Sequence, residues 1–310
     1  MKRLKHIDTA KGLGIILVVW GHSLIEFGHY IIYMFHMPLF FYLSGIFHRQ
    51  GGYVELLSKK FRGLIVPLVI FMVILFPVSY MVDDQCAVNL APPPHLRGVF
   101  GPLWFLISLF FLSAIYHPML KFRPAVRLVV CIGLSFLLGF LPAIFNLQNY
   151  MYCFTTFSAL AFYAMGNIIG DKFVKMKRMY LAILFIVSAM ALIAMYFVSY
   201  KYLHYGATDM FDNTLPPNFA LFVLAAVIGI LMVLFLSILV AGNNIATKTL
   251  AFIGECSMYI FAFHLAIMTV AHKYLPYHGI AVEILLIVVS LISGCVARPI
   301  FKNLCPAVFK

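Results

Sequence analysis

Two histidines and a set of cations sit inside apolar runs, where a water-facing chain does not place them. HIDTAKGLGIILVVWGHSLIE (6–26) carries Lys11 and His22, and YIIYMFHMPLFFYLSGIF (30–47) carries His36. If the first run is helical, the step from Lys11 to His22 turns about 1100°, roughly three full turns, and rises about 16 Å. Both side chains then lie on one face at two heights. Asp8 stands one helical turn before Lys11, and Glu26 one turn after His22. At those spacings a carboxylate can orient an ammonium or an imidazole. An imidazole exchanges its proton near neutral pH and serves as a general base. LLSKKFRGLIVP (56–67) adds Lys59, Lys60 and Arg62. A cationic foot below a buried imidazole suits an anionic ligand with a long arm.

The elements that must hold these residues follow from composition. The chain has 310 residues, of which 64% are hydrophobic and only 10% charged, with a net charge of +12. Its mean hydropathy is +1.02. Soluble domains carry about 25% charged residues, and so few charges cannot cover a wet surface. A soluble enzyme, a disordered chain and a classical nucleic-acid-binding domain are thereby excluded. An all-α, polytopic integral membrane protein remains. Polar breaks divide the chain into about ten apolar segments: 10–27, 30–48, 64–82, 102–118, 127–145, 150–170, 180–200, 218–241, 251–271 and 279–298. Each is near the roughly 20 residues a helix needs to cross the hydrocarbon, and none alternates as a barrel strand would.

With the N-terminus inside, Lys and Arg gather on the inner segments, and only Arg97, Lys201 and Lys273 fall outside. That bias predicts ten transmembrane helices with both termini cytoplasmic. The loops 83–101 (Asp83, Asp84, Pro92–Pro94) and 201–217 (Asp209, Asp212, Pro216, Pro217) then lie at the outer mouth. The whole chain reads as one membrane domain with no appended soluble domain. Cys86, Cys131, Cys153, Cys256, Cys295 and Cys305 form no CxxC pair, so neither a disulfide framework nor a metal site is expected.

Ionisable groups inside a bilayer are functional candidates by default. His36 lies about 16 Å from the inner end of its span, a depth similar to that of His22. Pro38 removes a backbone donor and kinks that span, and Ser44 lies nearer the inner surface. Gly12, Gly14 and Gly21 leave the first helix thin enough for another helix or a ligand to approach. Taken singly, Lys11 reads as a snorkelling anchor, Trp104 as an interfacial belt residue, and His264 and Glu255 as structural. The alignment of two histidines above several cations is what sets the functional reading apart.

These same residues resemble the membrane acyltransferase-3 family of bacterial sugar O-acyltransferases, and in particular its fucose 4-O-acetylase-like branch. IDTAKGLGIILVVWGHS (7–23) resembles the family's Arg/Lys-x10-His motif, with Lys11 and His22 in its places. FHMPLFFYLSG (35–45) resembles a signature of the branch. KKFRGLIVP (59–67) is similar to the Arg-x-x-Arg pair before the third span, here Lys59 and Arg62, with one bidentate guanidinium lost. GPLWFL (101–106) and GECSMYIFAFH (254–264) resemble softer patterns.

The resemblance implies an enzyme of the bacterial cytoplasmic membrane that moves an acyl group, most simply acetyl, from cytoplasmic acyl-CoA to a sugar hydroxyl. No cofactor is held permanently. Asp8, Lys11, Lys59, Lys60 and Arg62 would meet the donor's phosphates, and the arm would run past the glycines to His22. His22 is expected to be the general base, with Glu26 beside it. An acyl-His22 intermediate is the alternative. His36 or Ser44 would hold the oxyanion or the acceptor, with Trp104 in the same role, and the division between them stays open. Expected partners are acyl-CoA, a lipid-linked or surface glycan, membrane lipids and, left open, a second copy of the chain. Nucleic acid is not among them. The rival reading is a transporter or flippase, disfavoured because no matching pair of broken helices is evident.

Overall fold

The computed structural model describes residues 4–82, 88–89, 95–242, 244–276 and 279–309. Asp83, Asp84, Cys86 and Pro92–Pro94, named above, and Lys2, Arg3 and Lys310 among the inner cations lie outside the described residues.

The chain is helical almost throughout. The first helices are α1 (Lys5–Gly21), α2 (His29–Tyr33) and α3 (His36–Ile46). Then come α4 (Tyr53–Val82), α5 (Gly98–Lys121), α6 (Pro124–Ile144), α7 (Tyr150–Lys175), α8 (Arg178–Tyr202) and α9 (Phe219–Val240). The last are α10 (Ile245–Glu255), α11 (Ser257–Tyr274) and α12 (Ile280–Leu304). Two-residue strands β1 (Val88–Asn89) and β2 (His95–Leu96) pair antiparallel in the loop before α5. Among the described residues, seven helices are long and apolar enough to cross a membrane, or eight if α10 and α11 count as one bent span. Val73 on α4, Met190 on α8 and Ile292 on α12 are exposed apolar side chains. Such a surface suits lipid rather than water.

Three expected segments differ from plain helices. The first, 10–27, stops early, because α1 ends at Gly21. The Ser23 hydroxyl donates to the Trp20 carbonyl at 2.7 Å, and the Ser23 N–H donates to the same oxygen at 2.9 Å. These bonds satisfy a terminal carbonyl that the helix would otherwise leave open.

The second, 30–48, is broken at Met34–Phe35 into α2 and α3. Pro38 occupies the first turn of α3, where its missing N–H costs no intrahelical bond, and a continuous helix would have set its ring against the Met34 carbonyl. Phe35 is buried against α9 at Gly229, where any Cβ would overlap the Phe35 ring.

The third, 251–271, bends by 75° between α10 and α11. The bend lets α10 meet α1 backbone to backbone. A Cβ added at Gly12 would overlap the Leu250 carbonyl, and one at Gly254 would overlap that of Asp8. Gly14 and Gly21 face Leu39, Phe40 and Tyr33. The glycines of α1 therefore serve helix contact, and none of the three lines the cavities described below. Two of the expected spans are thus discontinuous, one at the α2–α3 break and one at the α10–α11 bend.

A partly buried polar knot closes the end of α3. The Asn167 amide donates to the carbonyls of Gly45 (3.2 Å) and His48 (2.9 Å), and the Tyr116 hydroxyl donates to Asn167 Oδ1 at 2.9 Å. His48 Nδ1 meets the Tyr163 hydroxyl at 2.8 Å, and His48 Nε2 meets His117 Nδ1 at 3.1 Å.

Candidate active site

One stripe of α1 organises the site. Lys11, Ile15, Val18 and His22 recur at helical spacing, and each lines a cavity. Three cavities lie along this stripe.

At the Lys11 end is a basin of about 720 Å³ lined by Asp8, Lys11, Lys59, Arg62, Arg298 and Lys302, together with Glu255, Tyr259 and the segment 307–309. Lys11 Nζ lies 3.6 Å from Asp8 Oδ1 and 4.9 Å from the centre of the Phe47 ring. Arg298 pairs with Glu255, and Lys59 with Glu55 at 2.6 Å. Cations outnumber carboxylates in the lining. A wider π-type turn over Phe61–Ile65 follows Lys60. Beside it Lys59 and Arg62 reach the basin, whereas Lys60 and Leu64 reach the next cavity.

That next cavity is a chamber of about 260 Å³ with a mostly apolar wall of Ile15, Phe40, Leu43, Leu64, Phe105 and Leu109. Lys11, Ser257 and Met258 are common to basin and chamber, and Phe261 is common to the chamber and the third cavity.

The third cavity, at the His22 end, measures about 840 Å³ and is lined by His22, Tyr33, His36, Trp104, Phe261 and Thr269, with Arg97, Gln148, Asp209 and Asp212 around it. His22 sits at the C-terminal end of α1, where the chain leaves the helix. Its ring lies 5.1 Å from that of His264 and 6.1 Å, edge-on, from that of Tyr33, centre to centre. Tyr33 also meets His36 at 4.8 Å and stacks on His29 at 4.4 Å. His36 opens α3, and its Nδ1 lies 2.9 Å from the Ile32 carbonyl, so the side chain bridges the α2–α3 break.

The loop after α8 closes one wall. Asp209 and Thr214 form a bridge, the Thr155 hydroxyl donates to the Met210 carbonyl at 2.7 Å, and the Asn149 amide donates to that of Phe211 at 3.2 Å. Asp209 Oδ1 accepts the Phe211 N–H at 2.8 Å. Burial nevertheless raises the Asp209 carboxyl above the usual carboxylate range, as desolvation outweighs that bond.

The structure thus brings His22, His36 and Trp104 to one cavity, and Asp8, Lys11, Lys59 and Arg62 to another. Trp104 is buried against Phe41 and Tyr152 and is no belt residue. Lys60 and Ser44 line the middle chamber, so Ser44 does not share the His22 cavity. Glu26 is not one turn above His22, because α1 has already ended. It is exposed, and no described hydrogen bond or ion pair joins it to His22. Sequence reasoning passed over Tyr33, Arg97, Gln148, Arg298 and Lys302. Arg298 and Lys302 stand one helical turn apart in the last segment, which was the readable signal.

A family model described as an acyltransferase domain matches residues 4–298 of this chain. No curated protein and no solved structure matches it.

Proposed function

The chain belongs to the acyltransferase-3 family, and on that premise we propose that it moves an acyl group, most simply acetyl, from acyl-CoA in the Lys11 basin to a sugar hydroxyl in the His22 cavity. It is a multi-pass membrane acyltransferase. Our fuller reading is ten spans with both termini cytoplasmic, in a bacterial inner membrane, within the fucose 4-O-acetylase-like branch. In it α1 and the α2–α3 pair supply the two spans that length alone does not count.

The observation that carries the proposal is the stripe Lys11–Ile15–Val18–His22 with three cavities along it. Coenzyme A has a polyanionic nucleotide end and a long neutral arm. Lys11, Lys59, Arg62, Arg298 and Lys302 suit the phosphates, with Asp8 orienting Lys11. Lys60 stands at the chamber, below the arm. The mostly apolar chamber suits the pantetheine, and the rise from Lys11 to His22 of about 16 Å suits its reach.

The acceptor would lie in the large cavity. Trp104 offers a flat apolar face, while Arg97, Gln148 and Asp209 offer hydrogen-bonding groups to hydroxyls. One nitrogen of His22 takes the hydroxyl proton as the oxygen attacks the thioester carbonyl. The C–S bond breaks, and the thiolate receives that proton from the imidazolium. His36 is placed to hold the acceptor or the developing oxyanion. General-base help of this kind is worth about 10²–10⁴-fold.

The test is acyl transfer by purified protein reconstituted in vesicles with labelled acyl-CoA inside and acceptor outside. His22→Ala should abolish transfer while the protein still folds; wild-type turnover in that variant ends the proposal. Label retained covalently on His22 when acceptor is omitted would replace direct transfer with the acyl-His22 route.

A further inference from the structure

A buried imidazole outside the scheme above carries a second role. His264, midway along α11, is fully buried and does not line the His22 cavity. Its Nδ1 lies 3.1 Å from the Ile260 carbonyl and 3.0 Å from the Phe261 carbonyl. Carbonyl oxygens only accept, so Nδ1 carries the hydrogen and Nε2 of the neutral ring presents a lone pair. Among the described residues that Nε2 is buried with no hydrogen-bond partner. Leaving a buried acceptor unpaired forfeits its hydration with nothing in return, so such an atom calls for an explanation.

Beside the His264 ring lies that of His22. The two rings lie 5.1 Å apart at 49°. The chain contains its own reference for that geometry. His48 and His117 lie 5.3 Å apart at 48°, and they are joined nitrogen to nitrogen at 3.1 Å. His22 and His264 share that ring separation and tilt, although their nitrogens are not joined in this structure.

We infer that His264 is a positioning residue for His22: its Nε2 accepts one ring N–H of His22 and thereby turns the other His22 nitrogen, lone pair outward, to the cavity. This rests on the reading of His22 as the base. The bond fixes the tautomer of His22, as the buried acceptor does for the imidazole in other general-base pairs. When His22 takes the hydroxyl proton, the new imidazolium keeps its bond to a neutral acceptor, and the proton leaves again to the thiolate. His264 gains and loses nothing over the cycle. The anchor is rigid, because Ile260 and Phe261 hold the His264 ring from one turn below on the same helix.

The experiment compares His264→Leu and His264→Gln with wild type and His22→Ala in reconstituted vesicles, each first checked for monodispersity in detergent. His264→Leu should lower kcat by on the order of 10–100-fold, by analogy with the loss of a hydrogen-bond partner that orients a metal-bound imidazole. KM for both substrates should stay unchanged, and the kcat–pH profile should move. His264→Gln keeps a side-chain acceptor and should recover part of the loss. If His264→Leu does not fold, an intermediate kcat with wild-type KM in His264→Gln is the supporting result. Wild-type kcat in His264→Leu, a His264→Gln no more active than His264→Leu, or a loss accompanied by raised KM and an unmoved pH profile, overturns the inference and leaves the His22 reading intact. An active His22→Ala removes both.

Discussion

Glu283, in the first turn of α12, accepts the backbone N–H of Leu24 at 3.0 Å, two residues beyond His22. The same carboxylate accepts His272 Nε2 at 2.9 Å and is only 3% exposed. A buried side chain from the last helix therefore fixes the turn that carries the proposed base.

Replacing Glu283 by Ala strands both donors. The expected loss is about 1–3 kcal/mol of stability, together with a severalfold fall in kcat as the His22 turn loosens. Glu283→Gln keeps one acceptor oxygen and should lose less of both. Thermal unfolding in detergent and steady-state transfer check the pair. Equal behaviour of the two variants would show that the carboxylate does not hold the turn.

Lys11 lines both the basin and the chamber, where the donor's phosphates would give way to its arm. A charge-assisted hydrogen bond contributes about 1.5–3 kcal/mol. Lys11→Ala should therefore raise KM for acyl-CoA by about tenfold or more at unchanged kcat, and it should flatten the salt dependence of KM. Lost kcat at unchanged KM would place Lys11 in the chemistry instead.

Ser44 lines the middle chamber, away from His22 and His36. Ser44→Ala should leave kcat within about twofold, whereas loss of an oxyanion donor would lower it by about 10²–10³-fold. Ser44→Trp should obstruct the chamber. Transfer should then fail while the nucleotide fragment of the donor still binds the basin, measured by titration calorimetry. Wild-type transfer in Ser44→Trp would mean the donor arm takes another route.

Asp209 carries a pKa raised by burial. A carboxyl whose folded-state pKa lies above its unfolded value contributes stability below the unfolded value and loses it as pH rises through the folded one. At neutral pH its ionised form is thus a burden on the fold. Asp209→Asn, which keeps the oxygen facing the Phe211 N–H, should raise Tm near pH 7.5. That gain should close as the pH falls below the carboxylate range. The same variant should raise KM for the acceptor and leave KM for acyl-CoA alone. A Tm difference that persists unchanged into acid would refute the electrostatic cause.

The alignment of Lys11 with His22 was legible in the sequence because it depends on helix periodicity alone. Pro38 marked the break beside His36 for an equally local reason. The pairing of Glu26 with His22 failed because the helix ends between them, at a Ser23 cap that spacing does not reveal. Gly12 and Gly254 lie far apart in sequence, and only the bend at Cys256 makes them neighbours. The roles of Arg298, Glu283 and His264 likewise depend on where α11 and α12 pack. No periodicity within the first helices carries that information.

The waist between the two large cavities has one more consequence. A protein with openings toward both sides of a bilayer risks becoming a leak for protons and ions. Here the smallest of the three cavities, about 260 Å³, is walled mainly by Ile15, Phe40, Leu43, Leu64 and Phe105, with Lys11, Lys60, Ser44 and Ser257 also in its lining. A mostly apolar wall disfavours a continuous water column, and a dewetted passage does not conduct. On the proposed route the donor's arm, once threaded, would itself be the stopper, and the membrane would stay sealed through the cycle without a moving gate.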